Sequence, residues 1–231
     1  MMSSSAEIYN HALHVIKENR RRRTEGLHNS IPFTFSRFNR VIPGIQKSNY
    51  TLLSAGTGIG KSKFAKQAYC YDAVDFVIKN PESGVKLKIF WFALEESKEA
   101  FMHSMMVMWL YREKGIYCPI KNLKSMNFSD DNEDVIPQEY INMLESDEAQ
   151  RWAQKFLKYI EVIDDIRHPT GIYSHIKEFC EENGQWSMKE KEFNIGKEIV
   201  VKEVHDRFIP NDPELYVLTV IDHISCVSTE K

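Results

Sequence analysis

Apolar positions along the chain switch between two periods, and the switches mark out its elements. Ile8, Ala12, Val15 and Ile16 recur at helical spacing behind the capping-box pair Ser4 and Glu7, which predicts an amphipathic helix over residues 5 to about 23. A lone helix with one apolar stripe needs a surface to lie on, either its own domain or a neighbouring subunit. It ends in four consecutive arginines, Arg20 to Arg23, readable as a solvated helix end or as a phosphate contact. Residues 26–30 turn loop-like, and residues 31–46 predict a short helix and a turn at Pro43-Gly44.

Residues 50–54 read as a buried strand. After a glycine-rich loop, Phe64, Ala65, Ala68 and Tyr69 take helical spacing, and that helix runs to about Lys79, before the breaker stretch 80–84. Residues 87–93 are almost continuously apolar, as expected of a parallel strand covered on both faces. The helix predicted at 98–113 carries Met102, Met105, Met106 and Met108, which suit either a core or a partner groove. Residues 118–147 are polar, with an exposed loop expected at 129–134. A helix through Ala149, Trp152, Phe156 and Ile160 leads into a third strand, about 159–163, and Asp164-Asp165. Thr170 to Asn183-Gly184 bounds another helix. Residues 185–209 predict a β-ribbon insertion, with strands at 191–193 and 198–204 around a turn at 194–197. The last strand is 215–221, followed by Asp222. Strands alternating with helices predict an α/β fold, a mainly parallel sheet flanked by helices.

Candidate chemistry gathers at the strand ends. Between the expected strand and its helix stands Ala55-Gly56-Thr57-Gly58-Ile59-Gly60-Lys61-Ser62, the P-loop pattern with alanine at its first small position. Glycines let backbone N–H groups approach an anion, so this loop is the candidate nucleotide-binding segment. Lys61 would reach the β- and γ-phosphates, and the Ser62 hydroxyl would hold magnesium. Glu95 follows the second strand, and ligands of open parallel sheets bind beyond the carboxyl ends of strands. It is either the group that orients the attacking water or, with Glu96, a cap of the next helix. Asp222 closes an apolar strand, the Walker B arrangement for a magnesium-holding carboxylate.

Composition narrows the class. The chain has 231 residues, 42% of them apolar, enough for a sizeable core, and its net charge of −3 is no nucleic-acid footprint in itself. Cys70, Cys118, Cys180 and Cys226 form no C-x-x-C pair, which suggests reduced thiols and a cytoplasmic setting. His168, His175 and Cys180 do not match a zinc spacing. The start carries no apolar signal core, and no run of 18 apolar residues occurs, so neither export nor a membrane partner is expected.

Residues 31–46, the P-loop, the stretch Phe92-Ala-Leu-Glu-Glu96 and the stretch Val220-Ile-Asp-His-Ile-Ser225 together resemble the RecA-like ATPase domain of DnaB-type replicative helicases, most of all bacteriophage versions. The resemblance covers about residues 31–231, with 1–30 standing where a linker helix would be. It implies Mg-ATP hydrolysis driving translocation on single-stranded DNA during phage DNA replication in the host cytoplasm. It also implies a homo-oligomeric ring, a hexamer as a rule, and a primase or helicase loader as further partner. By the same likeness, Glu95 and Lys61 are catalytic, and Ser62 and Asp222 hold Mg2+. Only nine positions follow Asp222 (231 − 222 = 9), so the family's arginine finger and DNA-binding loops have no counterpart, and weak ATP binding with little hydrolysis is expected of residues 1–231 alone. Two alternatives share these motifs: a recombinase-like or regulatory ATPase without unwinding activity, and a non-catalytic scaffold that keeps nucleotide as a structural ligand.

Overall fold

The computed structural model describes every residue except 1–4, 127–134, 196–197 and 229–231. Ser4 of the capping box, the loop expected at 129–134 and the middle of the ribbon turn therefore lie outside the described residues. The first half of the chain holds α1 (Ser5–Thr24), α2 (Ser36–Asn39), α3 (Lys61–Ala65), α4 (Asp72–Lys79), β1 (Lys86–Ala93) and α5 (Lys98–Lys114). There follow α6 (Ile120–Leu123), α7 (Gln138–Glu145), α8 (Asp147–Tyr159), β2 (Ile160–Ile163), α9 (Pro169–Glu182), β3 (Gly184–Ile195), β4 (Glu198–Pro210) and β5 (Leu215–Asp222). No helix among the described residues is long and apolar enough to cross a membrane.

β1 is the axis of a mixed α/β fold. It pairs in parallel with β2 on one side and with β5 on the other, giving the order β2-β1-β5. Successive side chains of a strand point to opposite faces, so Leu87, Ile89, Trp91 and Ala93 enter one core while Phe90 and Phe92 enter another with Leu94. Burial on both faces is the reason for the unbroken apolar run. The first face is covered by α3, a π-helical segment (Lys66–Tyr71) and α4, which follow one another without a break, and by α5 and α8. The second face is covered by α9 through Ile172, Ile176 and Phe179. Met105 is fully buried, and Met102 and Met108 pack at the margin of the first core, so the methionine-rich helix is a core helix.

Two expectations need correction. Residues 118–147 are not simply a polar stretch: α6 and α7 form there, and Leu123, Tyr140, Met143 and Leu144 pack against Trp109, Leu110, Cys118 and Ala149. The strand expected at residues 50–54 is not formed either, and Tyr50 and Leu52 are 80% and 69% exposed. The segment is nonetheless held along the free edge of β5. Lys47 bonds the Pro213 carbonyl and lies 4.4 Å from the centre of the Tyr216 ring at the start of that strand. Ser62 bonds Asp222 at its end. A short stretch rich in strand-favouring residues supplies only a tendency; a strand needs a ladder partner and something to cover its apolar side chains, and at this edge nothing among the described residues covers Tyr50 or Leu52.

The ribbon is longer than expected. β3 and β4 pair antiparallel from Gly184↔Pro210 to Ile195↔Glu198, with one irregularity at Ser187/Met188. Trp186 packs on Phe208 and His205 at centroid distances of 5.5 and 5.1 Å near the base, extending pairing into sequence with little alternation of its own.

The N-terminal helix α1 leaves its stripe uncovered, with Ile8 62% and Ile16 64% exposed. Its arginines are partly consumed within the chain. Arg21 bridges Glu18 and Glu25, while Arg22 donates to both carboxylate oxygens of Glu214, one at 2.8 Å, and holds that carboxyl below its ordinary range.

Residues 31–39 are pinned to the helical layer by Asp72, which is 2% exposed. It accepts from the Thr34 backbone N–H at 3.2 Å, the Thr34 hydroxyl at 2.6 Å, Arg112 at 3.1 Å and Gln67. Asp72→Asn keeps the shape but turns an amide donor toward donors, and is expected to cost about 1–3 kcal/mol. Urea denaturation midpoints measure this, and an unchanged midpoint would contradict the account.

Candidate functional site

The phosphate-loop candidate spans residues 55–62 and stands open to solvent at its tip. Gly58 and Gly60 have φ of +79° and +98°, a left-handed backbone that side chains other than glycine adopt at a cost. Gly60 is the residue at which the chain enters α3, and its carbonyl accepts the Phe64 N–H at 2.9 Å. Ala55, Gly56, Thr57, Gly58 and Ile59 are all exposed. Lys61 folds back over its own loop, its ammonium donating to the Ala55 and Gly56 carbonyls at 2.9 and 3.2 Å. Among the described residues this ammonium, parked on two neutral carbonyls, has no ion-pair partner, and an anion between the loop amides would supply a counter-charge.

Ser62 and Asp222, 160 positions apart in sequence, meet: the serine hydroxyl donates to the aspartate Oδ1 at 2.8 Å. Asp222 ends β5 beside Ala93, and its carbonyl accepts from the Leu94 N–H at 2.9 Å. The two parallel strands thus terminate together, and the residues just after them share one neighbourhood.

At the end of β1 three consecutive residues go three ways. Leu94 enters the second core. Glu96 turns toward the first helical layer and pairs with Lys66 at 2.7 Å; Lys66 is only 5% exposed and also donates to Ser104 at 2.9 Å. Glu95 remains exposed, its Oε1 bonded by His223 Nε2 and approached by the Cys226 thiol at 3.7 Å. Neither acid caps the following helix. That place is Ser97, whose hydroxyl accepts from the Ala100 N–H at 3.3 Å. Asp164, at the turn after β2, reinforces the same corner, accepting from the Lys98 backbone N–H at 3.2 Å, and this bond holds its carboxyl below the usual range.

The structure therefore joins Ser62 to Asp222 and brings Glu95 against His223, the residue after Asp222. Lys61 lies one residue before Ser62 with its ammonium on the loop. Sequence reasoning missed Lys66 with Glu96, and His223 with Cys226. The first pair had a faint signal, a lysine on the inward side of a helix; the second had the i, i+3 spacing of His223 and Cys226. Burial pushes the Cys70 thiol well above its ordinary range, which leaves it inert.

Serine hydroxyl and carboxylate are hard oxygen donors, the class that magnesium takes, so the pair present fits that ion. Comparison with protein-family models, curated proteins and solved structures gives no match, so the reading of this site rests on its own geometry.

Proposed function

We propose that the chain is a P-loop ATPase with a RecA-like core, working as the motor of a DnaB-type DNA helicase. The observation that carries the reading is the 2.8 Å bond between Ser62 and Asp222. It unites the last residue of a glycine-rich phosphate loop with an acid at the end of a parallel strand, the pairing that a magnesium nucleotide requires.

The loop amides of residues 56–61 cradle the phosphates. The Lys61 ammonium exchanges the Ala55 and Gly56 carbonyls for phosphate oxygens and stabilises charge developing on the γ-phosphoryl. Ser62 and Asp222 hold magnesium, which when bound offsets the negative charge of the β- and γ-phosphates. Glu95 orients the attacking water. The His223 and Cys226 contacts both fall on Oε1, and Oε2 accepts from that water.

The uncovered stripe of α1 supports assembly, because Ile8, Val15 and Ile16 gain burial if the helix lies on a second copy. A ring, hexameric by the resemblance, places nucleotide between subunits and single-stranded DNA along its axis, with a primase or loader as further partner. Strand displacement on a forked DNA separates this helicase from a recombinase-like or regulatory ATPase, which hydrolyses ATP without unwinding.

Titration with a fluorescent ATP analogue tests the nucleotide reading. Lys61→Ala is expected to weaken binding about ten- to a hundredfold, through loss of charge-assisted hydrogen bonds of about 1.5–3 kcal/mol. Equal affinity in the variant, or an affinity indifferent to magnesium, overturns the reading.

A further inference from the structure

Glu95 comes from the end of one strand, and His223 and Cys226 from the turn after another, yet their ligand atoms all lie within 4.8 Å of one another. The turn is a short 3₁₀ helix (Ile224–Cys226) with His223 at its entry. Side chains three residues apart eclipse in such a turn, so the imidazole and the thiol fall on one side. Both are directed at the same carboxylate oxygen, Glu95 Oε1. Three groups able to donate a lone pair to a metal therefore converge on one point.

We propose that Glu95, His223 and Cys226 form a binding site for a zinc-class divalent ion, with water in the fourth position. A tetrahedral zinc with bonds of about 2.0–2.3 Å spaces its donors about 3.3–3.7 Å apart. The Cys226 to Glu95 separation of 3.7 Å already has that span. His223 Nε2 and Glu95 Oε1 face each other directly, and the ion takes the place of that contact. Ser225 lies beside the ring, its hydroxyl 2.6 Å from His223 Nδ1 and 3.5 Å from Nε2. On binding, a neutral imidazole changes tautomer, so that Nδ1–H donates to Ser225 and the Nε2 lone pair faces the metal; the thiol proton leaves to solvent. Thiolate, imidazole and carboxylate together select a borderline ion, whereas Ser62 and Asp222 offer only oxygens. Neighbouring residues thus sort two metals by hardness. The regulatory consequence rests on the proposed role of Glu95: a zinc ion that takes this carboxylate withdraws it from water, and so arrests ATP hydrolysis without blocking the phosphate loop.

Cobalt titration of the metal-stripped chain tests the site without reference to ATP. A near-ultraviolet thiolate-to-cobalt band is expected, displaced by zinc and untouched by millimolar magnesium. It should be lost in Cys226→Ser, and the affinity should fall about tenfold in Ser225→Ala. Absence of the band, or the same band in Cys226→Ser, overturns the site. In the second arm, zinc lowers ATP turnover of the assembled protein, and the ratio of turnover with and without zinc returns toward one in Cys226→Ser. Cobalt binding with turnover indifferent to zinc overturns the arrest while keeping the site. Cobalt binding by a chain that takes no nucleotide keeps the site and overturns the ATPase reading instead.

Discussion

Replacing Lys66 by methionine is expected to destabilise the fold by about 3–5 kcal/mol, the usual cost of breaking a buried ion pair from one side. The Lys66 ammonium pairs with Glu96 at 2.7 Å, and the other carboxylate oxygen, Oε1, is buried with no hydrogen-bond partner among the described residues. Methionine fills the volume against Phe101 and leaves the charge of Glu96 unanswered. The double variant Lys66→Met with Glu96→Leu removes both charges and is expected to recover most of the loss. Denaturant midpoints at neutral pH measure all three chains, and a single variant as stable as the parent would show that the pair carries no such energy.

Glu95→Gln is expected to lower ATP turnover about 10²- to 10⁴-fold while leaving ATP affinity nearly unchanged. The amide keeps the size of the side chain and some of its hydrogen bonding, but it cannot draw a proton from water. Because phosphoryl transfer depends mainly on positioning and electrostatics, the loop and Lys61 are expected to bind the substrate without help from this residue. Phosphate release by the assembled protein, measured beside nucleotide affinity, separates the two effects. Turnover that survives the substitution would remove Glu95 from the water-orienting role, whereas nucleotide binding without turnover in either chain would return the chain to the scaffold reading, in which nucleotide is held and never cut.

Which parts were legible in the sequence follows from what each signal depends on. β1 was legible because burial on both faces writes itself as an uninterrupted apolar run from Leu87 to Ala93. The meeting of Ser62 with Asp222 was legible because each ends a recognisable local pattern. Residues 50–54 misled because their apolar and β-favouring side chains record a strand tendency, while a ladder partner and a cover decide whether a strand forms. Lys66 was invisible as a buried charge, since a lysine on a helix reads as solvated until its partner, 30 positions away, is placed. His223 and Cys226 carried too little spacing information alone, because their third companion, Glu95, stands 131 positions from the cysteine.

The ribbon has a topological corollary. Gly184 and Pro210 are paired, and the Asn211 N–H reaches the Asn183 carbonyl at 2.9 Å, so the chain departs from the sheet-and-helix body and returns to it at the same spot. An excursion with a common exit and entrance is a removable branch. A tight turn joining Asn183 to Asn211 preserves the route from α9 into β5, and because the ribbon joins at the start of β5, opposite the end that carries Asp222, it is free to differ in length or be trimmed away.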